Sequence, residues 1–189
     1  MLFLHRPRFK LIKRARKLTF CAVMACLLYP AKTFALTEEE LQVALLLKVA
    51  QFTQWPQTDD QEFKFCLYRG KGYEVINDMR QKRPKIGAHQ VNFVFLEQNT
   101  PTYLINQCSI LFITEGSAVE TKQVLHRASY SPTLTVGTLR GFANLGGMVE
   151  LVKVKKRYNF RINLIPVKQS QLSISAPLLE ISTVIKEGE

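Results

Sequence analysis

The spacing of apolar and polar residues changes period several times along this chain, and each change marks an element. Thr37-Glu38-Glu39-Glu40 is a capping box, with Thr37 placed to cap a helix and Glu40 placed to reach back to the Thr37 N–H. The helix is expected to run to about Gln54 and to stop at Trp55-Pro56, because a residue before proline disfavours the α region. It carries two apolar stripes: Leu41, Ala44, Leu45, Val49 and Phe52 on one side, and Val43, Leu46, Leu47 and Ala50 on much of the other. A helix packed on one side needs only one stripe. The second therefore implies either a helix sandwiched within the domain or a dimer interface at Val43, Leu46, Leu47 and Ala50.

Beyond Asp59-Asp60 short strand-like and helix-like segments alternate. Strands are expected at Phe63–Tyr68, Val91–Leu96 and Ser109–Thr114, and helices at Tyr73–Gln81 and Ala118–Ala128, with a helical turn after Pro101. Strand, helix, strand in short repeats implies parallel pairing with helices on the faces of the sheet. Leu134 and Val136 read as a further short strand, followed by an irregular connection that ends at Gly146-Gly147. Met148–Val154 and Arg157–Leu164 then form a hairpin around Lys155-Lys156, since β-branched and aromatic residues flank a very short polar link. Ser175–Lys186 is expected to end the chain as a helix, with Pro177 in its first turn. The expected fold is a mixed α/β domain: a mostly parallel sheet flanked by helices, with a C-terminal antiparallel hairpin and a final helix.

Charge changes the picture mainly at the N-terminus. Residues 1–35 hold eight of the 26 Lys and Arg and no Asp or Glu, and seven of the eight precede the apolar run Leu18–Tyr29. Thr33-Phe34-Ala35 supplies a small-residue cleavage site, so residues 1–35 read as a secretory signal peptide. An uncleaved anchor and a lipoprotein site at Cys26 are the rival readings; against the anchor, a bilayer span needs roughly 20 apolar residues. Without this segment the chain carries 18 basic and 15 acidic residues, a formal charge of +3 in place of +11. The high isoelectric point is then a targeting signature and gives no support to nucleic-acid binding. Residues 36–189 suffice for one domain with a sizeable core.

Cys21 and Cys26 lie in the signal, which leaves Cys66 and Cys108. Two cysteines in an exported chain imply a disulfide. Arg69-Gly70-Lys71-Gly72, between a strand and a helix, reads either as a βα turn with solvated cations or as an anion site through Arg69 and Lys71, and it matches no phosphate-loop motif. His89 and His126 lack partners at metal spacing, and no metal, cofactor or nucleophile motif appears. Trp55, the only tryptophan, with Pro56 and the segment Phe142, Asn144, Gly146, Gly147 and Met148, combines apolar side chains with residues that break regular structure, as binding loops do. These residues are the candidate partner surface; the alternative reading makes Trp55 and Phe142 core residues, and no enzyme activity is expected.

Several segments in this order, LLLKVAQFTQWP, FKFCLY, CSILFIT, LTV, GFANLGGMVELVKVKKRYNFRINL and LSISAPLLEIS, resemble the YfiR family of small periplasmic proteins. The likeness spans about Leu41 to Ser182. It implies a single YfiR-like α/β domain over residues 36–189, usually dimeric and located in the periplasm. It further implies a repressor that binds the periplasmic domain of a membrane-anchored diguanylate cyclase and lowers cyclic-di-GMP output, with consequences for biofilm formation. Cys66 and Cys108 match the redox-linked bridge of the family. A second cysteine pair that some members carry around the GF…GG segment has no counterpart here. The alternative function is a periplasmic sensor of a small anion. No cofactor, nucleic acid or membrane span of the processed chain is expected.

Overall fold

The structure is a computed structural model that describes residues 36–56, 62–70 and 73–186. The signal-peptide reading, Asp59-Asp60 and Lys71 fall outside the described residues. The first helix, α1 (Glu38–Gln51), begins as the capping box requires: the Glu40 N–H donates to Thr37 Oγ1 at 3.2 Å and the Thr37 N–H to Glu40 Oε2 at 2.8 Å. It ends three residues earlier than expected. Thr53 and Gln54 form a short strand, β1, antiparallel to β9 (Ser173–Ile174).

The remaining elements, in chain order, are β2 (Phe63–Tyr68), α2 (Tyr73–Lys82), β3 (Lys85–Ile86), β4 (His89–Leu96), α3 (Thr102–Ile105), β5 (Ile110–Ile113), α4 (Ala118–Ala128) and β6 (Leu134–Gly137). A 3₁₀ turn (Phe142–Leu145), β7 (Val149–Val154), β8 (Arg157–Asn163), α5 (Leu164–Gln169), β9, α6 (Ala176–Glu180) and β10 (Ser182–Ile185) follow. One eight-stranded sheet runs in the order β10-β8-β7-β6-β5-β2-β4-β3. Its pairs are parallel from β4 through β7, and again between β10 and β8; the β7–β8 hairpin and β3–β4 are antiparallel. The fold class is therefore the one expected: a mixed, mostly parallel sheet with flanking helices and a C-terminal antiparallel hairpin.

Strand alternation sorts the side chains onto two faces. Phe63, Phe65 and Leu67 of β2 point with Ile110, Phe112, Leu134 and Val136 into a core closed by α1, α2, α5 and α6. Cys66 and Tyr68 point the other way, with Leu111 and Ile113, into a second core closed by α3, α4 and the 3₁₀ turn.

Two expectations about the chain end need correction. Ser175–Lys186 is not one helix: α6 covers only Ala176–Glu180, and Ser182–Ile185 extend as β10. The β-branched pair Thr183-Val184 suits a strand, and β8 offers an open edge for it. The hairpin consequently lies inside the sheet, with β10 outside it. The second hairpin strand also stops at Asn163, because its side chain accepts from the Ile165 N–H at 3.0 Å and caps α5, a helix missed in the sequence.

Candidate interaction surface

Both stripes of α1 contribute to the core of their own chain. Val43, Leu46 and Ala50 are buried at 4%, 0% and 0% exposure, inside the core of their own chain, and Leu47 packs against that core. Residues so placed cannot contact a second subunit without unfolding the domain, so the expected dimer contacts at Val43, Leu46 and Ala50 are overturned. Of the other stripe, Val49 is buried in the same core and Phe52 packs against it, while Leu41 and Leu45 are half-buried and Ala44 is exposed. With apolar residues on both sides, the period alone could not say which side faces in.

The Trp55 and Phe142 segments, expected to share one surface, belong to different faces of the sheet. Trp55 packs edge-on against Phe63 at 5.3 Å in the α1-side core, and it lines a cleft of about 660 Å³ with Ala50, Ile86, Asn106 and Ser109. Its Nε1 is buried and has no hydrogen-bond partner among the described residues. Pro56 beside it is half-buried. Phe142 lies in the opposite core at 0% exposure. Its ring sits between Gly137 and Gly147: a Cβ at Gly137 would lie 2.6 Å from Phe142 Cε2, and one at Gly147 would lie 2.7 Å from Cζ. Gly147 and Met148 are likewise buried. Phe142, Gly147 and Met148 therefore cannot serve as contact residues; of this segment only Asn144 and Gly146 reach solvent. Gly146 ends the turn at φ +102°, a conformation that favours glycine.

Sequence reading missed the residue that anchors this turn. Glu150, 4% exposed on β7, accepts from the Gly141 N–H at 2.8 Å through Oε1 and from the Ala143 N–H at 3.1 Å through Oε2. Asn163 Nδ2 donates to the Ala143 carbonyl at 2.9 Å, and the Met148 N–H donates to Thr135 Oγ1 at 3.1 Å. The signal was available: a carboxylate within an otherwise apolar strand must find donors when buried.

Cys66 and Cys108 are bridged, joining β2 to the start of β5 across 42 residues, and both are buried. Arg69, the described half of the expected anion site, is committed elsewhere. Its guanidinium pairs with Glu120 and donates to Gln98 Oε1, and the Glu120 carboxylate holds it more firmly protonated than usual. Glu97 and Glu115 line the same recess, which further disfavours an anion. His89 is exposed on β4; His126 is exposed on α4, its ring against Tyr130. Among the described residues no group of three His, Cys, Asp or Glu could hold a metal. No described helix is long and apolar enough to cross a membrane.

A second polar contact ties α1 to the hairpin. Glu38 pairs with Lys153 and accepts from the Tyr158 hydroxyl at 2.6 Å, while Gln42 Nε2 donates to the same hydroxyl at 2.8 Å. The hydrogen bonds from Lys153 and Tyr158 hold the Glu38 carboxyl below its ordinary value near 4.5.

Comparison with known proteins adds two findings. A family model described as YfiR/HmsC-like matches residues 39–183. Nine chains of solved structure match, among them a conserved domain protein from Vibrio cholerae O1 biovar El Tor. That protein superposes with a TM-score of 0.55 at 13% identity, over 80% of this chain and 61% of its own length, and the likeness extends to the fold. No curated protein matches the sequence.

Proposed function

Because the chain belongs to the YfiR/HmsC-like family, we propose that it represses a membrane-anchored diguanylate cyclase by binding the cyclase's periplasmic domain. The family suggests a periplasmic regulator of diguanylate-cyclase signalling, and the match over residues 39–183, nearly the whole described fold, is the observation that carries this reading. On it, residues 1–35 are a signal peptide removed on export and residues 36–189 act as one domain. The Cys66–Cys108 bridge is compatible with that compartment.

Action by binding in place of turnover is supported by how the polar groups are used. Glu150 and Asn163 are spent on the 3₁₀ turn, and Arg69 on Glu120. Repression then follows from linkage: a protein that binds the inactive cyclase tenfold more tightly than the active one shifts that equilibrium by about 1.4 kcal/mol. We assign self-association to Leu41, Ala44 and Leu45, the solvent-reaching positions of the other α1 stripe, in place of the contacts expected from sequence.

The test is cyclic-di-GMP output in cells carrying one of the host's membrane-anchored cyclases, with and without this chain. Output should fall when the chain is present. His89→Ala and His126→Ala should repress as well as the wild type, whereas a folded histidine variant that fails to repress would reopen the enzyme and sensor readings.

A further inference from the structure

Among the described residues, one part of the sheet has no cover. On the face where α3, α4 and the 3₁₀ turn close the second core, that core ends at the start of β7. Register places Glu150, Val152 and Val154 of β7 on this face, opposite Arg161, Asn159 and Arg157 of β8. Thr183 and Ile185 of β10 continue it, beside Arg161 and Asn163. The turn covers the end at Glu150 and Asn163, through the bonds those side chains make to Gly141 and Ala143. Beyond it Val152 and Ile185 are half-buried, Val154 is 46% exposed, and none of the three belongs to either core.

The charge on this patch is one-sided. Lys155, Lys156 and Arg157 follow one another around the hairpin turn, and Arg161 rises from the centre of the face. The ion pairs among the described residues engage Lys64, Arg69, Lys82 and Lys153, and none of these four cations. The one carboxylate in the register, Glu150, faces Arg161 across the strands, yet both its oxygens are taken by backbone N–H groups. Arg161 is left with its Nε buried and without an acceptor among the described residues. A buried donor that lacks a partner costs stability, and a partner oxygen would recover that cost.

We propose that this face of β7, β8 and β10 is the docking surface for the regulated protein, and that the partner presents carboxylates beside apolar side chains. The assignment rests on the binding reading above and supplies its location. Apolar positions alternating with Arg and Asn, rimmed by unpaired cations, match the composition of interface centres, where arginine is enriched. A carboxylate reaching Arg161 would form a charge-assisted pair as it leaves water. The turn cations would speed encounter with an acidic surface and make binding depend on salt.

The test measures binding of the full chain, recovered from the periplasm, to purified periplasmic domains of the host's membrane-anchored diguanylate cyclases. Arg161→Glu and the exposed pair Lys155→Glu/Lys156→Glu are compared with Lys85→Glu on β3, exposed at the opposite edge of the sheet, and circular dichroism accompanies each variant. The expected result is a cyclase domain that binds the wild type more weakly as salt rises. Arg161→Glu should lose about thirtyfold or more in affinity, the turn pair should lose several-fold, and Lys85→Glu should bind as the wild type does. Equal binding by wild type and both face variants would overturn the docking face and leave the binding reading intact. No binding of the wild type to any cyclase domain would overturn both. Capture by phosphatidylglycerol vesicles with the same variant dependence, and by no cyclase domain, would assign the face to a membrane surface instead.

Discussion

Gly147→Ala tests the packing of the turn most sharply, because space, and not backbone conformation, keeps that position a glycine. Gly147 is absent from the positive-φ residues, but a Cβ there would meet the Phe142 ring 2.7 Å from Cζ, with Cε1 and Cδ1 closer still. The ring cannot retreat, since Gly137 flanks its other side at 2.6 Å from Cε2 by the same measure. Overpacking of this kind costs about 1–3 kcal/mol. Phe142→Ala, at a residue with 0% exposure, should cost about 3–5 kcal/mol through the cavity it leaves. Once the ring is gone, the added methyl enters empty space, so Gly147→Ala should cost nearly nothing in the Phe142→Ala background. A double-mutant cycle by urea unfolding under oxidising conditions should return about 1–3 kcal/mol of coupling. Additivity within about 0.5 kcal/mol would refute the account of the turn. Loss of repression by Phe142→Ala should then track loss of folded protein in the periplasm.

Three further outcomes follow from the same structure. Replacing Cys66 and Cys108 by alanine should lower stability by about 4 kcal/mol on the chain-entropy estimate for a 42-residue loop, read as a lower urea midpoint; an unchanged midpoint would count against it. Leu46→Lys should unfold the domain, whereas Leu45→Lys should leave circular dichroism unchanged and reduce the mass seen by light scattering in a self-associated sample. Glu38→Gln should slightly lower stability near neutral pH: the lowered Glu38 pKa adds stability above its unfolded value near 4.5, and this is lost as pH falls through the folded value. The difference between variant and wild type should therefore vanish in acid, and a difference that persists there would contradict the Glu38–Lys153 clamp.

What the sequence revealed, and what it hid, has a physical pattern. The capping box at Thr37, helix α4 over Ala118–Ala128 and the turn at Lys155-Lys156 were legible because each depends on neighbours within a few residues. The orientation of α1 was not, because both its stripes are apolar and only tertiary packing chooses between them. β10 was hidden for a similar reason: its apolar spacing also fits a helix, and the open edge of β8 decides. Trp55 and Phe142 read equally as binding aromatics or as core residues, and their packing in opposite cores is set by sheet topology that no local pattern encodes. The cations of the hairpin were visible as residues, but that no ion pair among the described residues engages them emerged only from the structure.

The central claim, repression by direct binding, is tested most directly with a purified membrane-anchored diguanylate cyclase reconstituted in liposomes, its periplasmic domain facing outward. Cyclic-di-GMP synthesis inside the vesicles is followed as the exported chain is added outside. The account predicts a saturable fall in synthesis that weakens with salt and is lost with Arg161→Glu. Synthesis unaffected by saturating wild-type chain, for every membrane-anchored cyclase of the host, would contradict it.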